Sequence, residues 1–184
     1  MNIEAGQYRI ELSLESNFRE DSMDNRFGFR SHYSDESNNL FSTAIGIKVF
    51  QEEILISSAI ISSGGGVSVL HQNSQQISED SITICCADHI FNLSIPKLNL
   101  NWKTKSDSAT CFGVYQINDD FIVHGELELS RLSKAGKIMW QRFGEDIFTT
   151  VDGKQDDFTI TDQCIIATDW NNKKYKFDFN GNAV

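Results

Sequence analysis

The sequence predicts an all-β protein built from antiparallel strand–turn–strand units. Three stretches of the C-terminal half repeat one pattern, an apolar strand, a tight turn, a second strand and a polar corner, and they are Ile82–Trp102, Phe121–Trp140 and Cys164–Val184. Apolar residues rarely recur at the three- and four-residue spacing of a helix, while β-branched runs and thirteen Phe residues favour strands. A repeated unit indicates the architecture more strongly than any local propensity.

Residues 1–61 predict an N-terminal β-sheet. Tyr8–Leu14 (YRIELSL) alternates apolar and polar residues, as a half-buried strand does, and Arg26–Tyr33 alternates again after a polar loop. Leu40–Phe50 and Glu53–Ile61 are apolar runs separated by two polar residues, which indicates a hairpin.

Residues 62–80 are the most irregular part of the chain and predict a long loop. They contain three consecutive glycines, Gly64–Gly66, followed by a polar run. We expect this loop to join the N-terminal sheet to three repeats over residues 81–184, all within the single domain that 184 residues favour.

The first two repeats align closely. A shift of 39 residues places Ile82 on Phe121, and one residue of slack at the corner then places Trp102 on Trp140. The two indoles are therefore expected to occupy equivalent positions, each as a large plate that packs between neighbouring units.

Two strings in the repeats, RLSKAGKIMWQ (Arg131–Gln141) and YKFDFNGN (Tyr175–Asn182), resemble the quinoprotein-type (PQQ-like) β-propeller repeat. The resemblance covers Asp120–Gln141 and Asp162–Val184, whereas the first unit has Pro96–Asn99 at its corner and no glycine there. It implies four-stranded antiparallel units placed side by side like propeller blades. No residue of the quinone cofactor site can be matched in this sequence, so no cofactor is expected.

The number of repeat units does not decide whether the array closes into a ring. Closed propellers need about four blades or more, and the sequence shows three units with Tyr8–Ile61 as a candidate fourth. The prediction is therefore an open or very small propeller-like array or a sandwich, with two packed or continuous curved sheets favoured. Open edges are commonly blunted by charge or covered by association, so a homodimer is one alternative.

The charge balance limits the partners. Sixteen Lys and Arg against 26 Asp and Glu give a formal charge of −10, which argues against DNA, RNA and anionic membranes because all three attract clustered cations. It suits a soluble protein or a basic protein partner. No cationic start is followed by an apolar run, and the four Cys lie in apolar runs without metal spacing, so the expectation is a cytoplasmic protein with reduced thiols.

Four residues are candidates for an interaction site, and none is predicted as catalytic or metal-binding. His71 and Asn73 lie in the predicted loop, and loops carry function more often than strands do. His124 and Glu126 would share one face of an uninterrupted strand, but Gly125 is expected to end that strand at a hairpin.

Other polar motifs favour structural roles. In Cys85-Cys86-Ala87-Asp88-His89 the adjacent cysteines point to opposite faces of a strand, so we interpret them as buried structural thiols. The glycines Gly64–Gly66 lack the Lys-Ser/Thr of a phosphate loop and are interpreted as a flexible linker.

Three functional hypotheses follow from the sequence. The first is a non-enzymatic protein-interaction module, for example an immunity-type protein that blocks a basic enzyme. The second is a small-ligand sensor or an enzyme that uses the loop of residues 64–73. The third is a structural subunit of a β-sheet assembly.

Overall fold

The computed structural model describes residues 1–20, 22–35, 41–150 and 157–184. These residues form sixteen β-strands in four separate sheets and contain no α-helix, which confirms the all-β prediction. No helix in these ranges is therefore long and apolar enough to cross a membrane. The four sheets follow one another along the chain.

The first sheet has five strands in the order β1-β2-β4-β5-β3. Its strands are β1 (Asn2–Ala5), β2 (Tyr8–Leu14), β3 (Ser31–Ser34), β4 (Thr43–Gln51) and β5 (Ile54–Ser63). The predicted β2 strand and the β4–β5 hairpin are confirmed. The predicted strand over Arg26–Tyr33 is only the short β3, which pairs with β5 in parallel.

The three repeats form the other sheets, each a simple antiparallel meander. The second sheet contains β6 (Gln75–Ile77), β7 (Ser81–Cys86), β8 (His89–Ser94) and β9 (Leu100–Lys105). The third contains β10 (Cys111–Ile117), β11 (Asp120–Gly125), β12 (Glu128–Leu132) and β13 (Ile138–Phe143). The fourth contains β14 (Phe158–Ile160), β15 (Ile165–Thr168) and β16 (Lys174–Phe177), and a bridge from Phe177 to Ala183 extends it.

The interval of residues 62–80 differs from its prediction as a continuous loop. The strand β5 continues to Ser63, and β6 lies inside the interval, where Gln75–Ile77 pairs with β7. Since β6 supplies only three residues, its period-two pattern is too short to recognise in the sequence.

Three apolar clusters join the four sheets in series. The first cluster lies between the first and second sheets and includes Ile47 and Phe91, and the second joins the next pair through Cys85 and Val123. The third cluster lies between the last two sheets and contains Phe148. Among the described residues no further apolar cluster joins the fourth sheet to the first.

The two tryptophans occupy equivalent places, as the alignment of the repeats predicts. Trp102 donates its indole N–H to the carbonyl oxygen of Lys134 over 3.0 Å. Trp140 donates in the same way to Phe179, also over 3.0 Å. Each acceptor lies in the corner of the next sheet along the chain, so the indoles link neighbouring sheets.

A glycine in each corner makes room for the indole. Gly136 and Gly181 have φ values of +77° and +80°, a backbone conformation that other residues rarely adopt. A Cβ on Gly136 would lie 2.4 Å from Trp102 Cδ2, and a Cβ on Gly181 would lie 2.7 Å from Trp140 Cδ2. Glycine is therefore required at this corner for two reasons, the positive φ of the turn and the close approach of the indole ring.

A third repeated contact makes the first sheet a member of the same series. At each interface a side chain of one sheet's fourth strand donates to a corner carbonyl of the next sheet, and the pairs are Ser57 with Pro96, Thr104 with Gly136, and Arg142 with Gly181. The first sheet thus corresponds to a four-stranded unit, with β3 added outside its fourth strand.

The outer faces of the two end sheets are not left as open apolar surfaces. On the first sheet the Phe29 ring covers Gly46, where a Cβ would lie 2.5 Å from it, and Lys48 Nζ lies 4.0 Å from the Phe27 ring centroid. On the last sheet the outward row contains the exposed Lys176 and Thr159. Polar or covered end faces of this kind terminate a repeat array.

Candidate functional site

A cleft of about 600 Å³ opens between the first two sheets, at the end where β3 and β5 finish. We call it the Asp88 cleft. Asp35 follows β3, Asp88 lies in the turn between β7 and β8, and His89 begins β8. Lys103 and Lys105 reach it from β9. The elements that meet here are far apart in the chain, and only their packing creates the cleft.

Ser63 is the centre of the polar cluster in this cleft. Its Oγ lies 2.9 Å from Asp35 Oδ2, 2.7 Å from Asp88 Oδ1 and 2.9 Å from His89 Nδ1. The serine is completely buried, and both aspartates are also buried. Buried polar groups are costly unless they are hydrogen-bonded, so this network holds the two sheets in a defined relation.

Lys105 supplies a positive charge to Asp88. Its Nζ lies 2.9 Å from Asp88 Oδ2, while His89 Nδ1 lies 2.7 Å from Asp88 Oδ1. Burial alone would raise the pKa of Asp88, but hydrogen bonds from Lys105, His89 and Ser63 outweigh it and lower the pKa. The hydrogen bond to Asp88 correspondingly raises the pKa of Lys105. Asp88 is therefore ionised at neutral pH.

Local backbone geometry explains how Asp88 reaches the cleft. Ala87 has a positive φ of 50°, which turns the chain sharply between β7 and β8. Gly65 has a φ of +90°, and a Cβ there would lie 2.6 Å from the Ala109 carbonyl oxygen and 3.0 Å from Asp88 Cβ. The predicted linker glycines thus include one that the close approach of two backbones requires.

The buried serine and cysteines beside the cleft are not accessible nucleophiles of the kind that acyl-transfer enzymes use. The Ser63 hydroxyl is buried behind its three polar neighbours. Cys86 and Cys111 are also buried, and desolvation raises the pKa of both thiols well above its ordinary value. Carboxylate oxygens and an imidazole nitrogen instead make the cluster suitable for holding a cation.

Two of the predicted interaction residues lie together on the surface. His71 is exposed, its Nε2 lies 2.9 Å from the Phe112 carbonyl oxygen, and its Nδ1 accepts the backbone N–H of Asn73 over 3.3 Å. This pair orders the loop ahead of β6. A role for His71 and Asn73 in binding stays a prediction.

The other two predicted residues are not brought together. His124 is only 7% exposed, its ring stacks on Phe158 at a centroid distance of 4.5 Å, and its Nε2 lies 2.8 Å from the Phe148 carbonyl oxygen. Desolvation lowers its pKa from 6.5 to about 4. Glu126 lies beyond the end of β11 at Gly125, as the predicted hairpin requires. Binding through His124 or Glu126 stays a prediction, and the burial of His124 does not favour it.

Sequence reasoning did not identify the cluster in the Asp88 cleft. The motif of residues 85–89 drew attention to its cysteines, whereas Asp88 and His89 are the residues that face the cleft. Asp35 and Ser63 stand immediately after β3 and at the end of β5, in stretches that resemble ordinary polar breaks. The sequence shows only that several polar residues follow the ends of strands. It does not show which of these strand ends lie close together in the folded protein.

A second feature lies at the opposite end of the array. Exposed carboxylates occur in the hairpin turns that join the first and second strands of the three repeat sheets, and these residues, called the acidic turns below, are Glu79, Asp80, Asp119 and Asp162. Because each sheet is an antiparallel meander, these turns lie at one end, and the turn with Asp88 lies at the other.

Comparison with solved structures supports the propeller-like fold. The chain is similar to BamB from Moraxella catarrhalis, with 15% identity and a TM-score of 0.52, over 76% of this chain and 42% of that one. It is also similar to the computationally designed Ika8 protein, with 10% identity and a TM-score of 0.53, over 77% and 44%. The chain spans less than half the length of either. No protein-family model and no curated protein matches the sequence.

Proposed function

We propose that this protein is a non-enzymatic protein-interaction module that binds a basic protein through its acidic turns. The observation that carries this proposal is the recurrence of exposed carboxylates in the same hairpin turn of three successive sheets. The formal charge of −10 acts in the same direction. Charges of one sign raise the association rate with a partner of the opposite sign, and they disfavour acidic competitors.

The acidic turns are available to a partner. Asp119 lies 3.7 Å from Lys134, but both side chains are about 80% exposed, so this ion pair contributes little. A cationic side chain of a partner can therefore replace Lys134 at small cost. Binding through such exposed charges should weaken steeply as salt is added.

The finer version of the proposal is an immunity-type protein that acts in the cytoplasm by covering the basic surface of an enzyme. The four free cysteines, three of them buried, suit a reducing compartment. Propeller-like units present their turns at the two ends of the array, which provides a broad and rigid surface for a protein partner. The likeness to BamB and Ika8 supports this surface only through the fold.

The experiment is affinity capture from the native host with three baits. The first is the natural protein, the second carries Glu79→Lys, Asp80→Lys and Asp119→Lys, and a matched control carries Glu4→Lys, Glu20→Lys and Asp24→Lys. Both triple variants change the formal charge of −10 by the same six units. We expect a protein of basic isoelectric point to bind the natural protein and the control, and to elute with salt. Equal retention by the variant with altered turns, or no basic protein at all, would count against the proposal.

Two other functions have separate tests. The Asp88 cleft favours the second hypothesis, a small-ligand sensor, because it includes Gly64 and Gly65 of the predicted loop. The covered and polar end faces disfavour a structural subunit that stacks through its sheets. Light scattering over a range of concentrations checks both that alternative and the predicted homodimer, since either would raise the mass with concentration.

A further inference from the structure

The polar cluster around Ser63 brings two carboxylates and an imidazole to one buried hydroxyl. Four contacts join Ser63, Asp35, Asp88 and His89, namely the three made by Ser63 Oγ and the one of 2.7 Å between His89 Nδ1 and Asp88 Oδ1. The potential metal ligands among them are the two carboxylates and the imidazole nitrogen.

Both aspartates also have partners outside these four contacts. The Gly64 backbone N–H donates to Asp35 Oδ2 over 2.7 Å, and Lys105 Nζ lies 2.9 Å from Asp88 Oδ2. Carboxylate oxygens and an imidazole nitrogen are ordinary ligands of divalent metals, and here they meet at the edge of a cleft.

We propose that one divalent transition-metal ion, such as Zn²⁺ or Mn²⁺, binds at this cluster. Carboxylate oxygens of Asp35 and Asp88 and a nitrogen of His89 all lie within 4.8 Å of one another. An ion bound between them would take the place of the imidazole proton on one side. One imidazole with two carboxylates is a donor set that suits first-row divalent metals.

The cleft provides access and room for the remaining ligands of the metal. It is open on the side away from the buried serine, and its volume of about 600 Å³ accommodates several water molecules. Lys103 Nζ donates to the Ser34 carbonyl oxygen over 2.8 Å, so this ammonium group already has a backbone partner. A water-completed site of this type is typical of metal centres with few protein ligands.

Lys105 is the internal competitor of the metal. Its ammonium group occupies one oxygen of Asp88, but its side chain is 58% exposed and can turn toward solvent. Removing this charge should strengthen the attraction between the cluster and a cation. If the network only held the two sheets together, removal of the Lys105 charge would lower the stability of the protein and would not create tighter binding of a cation.

The test is calorimetric titration of the chelator-treated full chain with ZnCl₂ and, separately, MnCl₂. We expect one equivalent to bind to the natural protein and to a His71→Gln control, which changes an exposed histidine elsewhere. His89→Gln should weaken binding at least about tenfold, since an imidazole ligand is lost. Lys105→Met should tighten binding by about tenfold, because the competing ammonium is removed.

Several results would overturn the proposal. These are the absence of saturable binding by the natural protein, unchanged binding in His89→Gln, and unchanged or weaker binding in Lys105→Met. The last variant keeps the test decisive if His89→Gln fails to fold, as circular dichroism would reveal. Because the acidic turns lie at the other end of the array, the metal proposal and the proposed function can fail separately.

Discussion

The corner glycines allow a quantitative test of how the sheets are joined. Gly136→Ala places a Cβ 2.4 Å from Trp102 Cδ2, where carbon atoms normally approach to about 3.5–4.0 Å. The substitution also forces alanine into a φ of +77°. The left-handed backbone costs roughly 1–2 kcal/mol, and displacement of the packed indole costs roughly 1–3 kcal/mol. If the indole N–H also leaves the Lys134 carbonyl, about 1 kcal/mol is added.

Gly6→Ala is the matched control. Gly6 has a φ of +61°, but nothing lies within 4 Å of the position where its Cβ would stand. This variant should lose only the backbone contribution of roughly 1–2 kcal/mol. Gly136→Ala should therefore lose about 2–4 kcal/mol more than the control. Gly181→Ala should resemble it, because Trp140 lies at 2.7 Å from the corresponding Cβ.

Urea unfolding at equilibrium measures these differences as shifts of the midpoint at constant slope. Repeating the measurement in a Trp102→Leu background separates the cost of the left-handed backbone from the cost of displacing the indole. In that background Gly136→Ala should cost only the backbone contribution, so the double-mutant cycle should show a coupling of about 2–4 kcal/mol. Equal losses for Gly136→Ala and Gly6→Ala, or no coupling to Trp102, would refute the idea that the indole packs on the corner glycine.

The remaining predictions concern titration and thiol access. The folded-state pKa of His124 is lowered from 6.5 to about 4, so the unfolded chain takes up a proton first as the pH falls. The free energy of unfolding should be unaffected by this group above pH 6.5 and should decrease by about 3 kcal/mol as the pH falls through 6.5 to below 4. Urea unfolding of His124→Gln at the same pH values provides the comparison, and parallel pH curves would contradict the assignment. A thiol reagent should modify Cys164 in the folded protein much faster than Cys86, since only the latter is fully buried. Equal rates, followed by mass spectrometry, would show that the sheet interface opens readily.

The repeats could be recognised from the sequence because their signals are local. Alternating apolar residues indicate a strand and its buried face within a few positions, and the 38-residue spacing of Trp102 and Trp140 indicates equivalent places. The strand β6 escaped recognition because three residues carry too little periodicity. The parallel pairing of β3 with β5 was not predicted either, because the residues of a strand do not indicate which other strand it pairs with.

The candidate site depended on contacts that no local pattern encodes. Asp35 and Ser63 are 28 residues apart, and Ser63 and Asp88 are a further 25 residues apart. His124 shows the reverse case, since alternation could place it on one face of β11 but could not show that Phe158 would cover it. The sequence by itself thus determined the all-β class, the repeated unit and its aromatic plates. Only the tertiary structure decided which strand ends meet, because that depends on how whole sheets pack and not on the neighbours of any one residue.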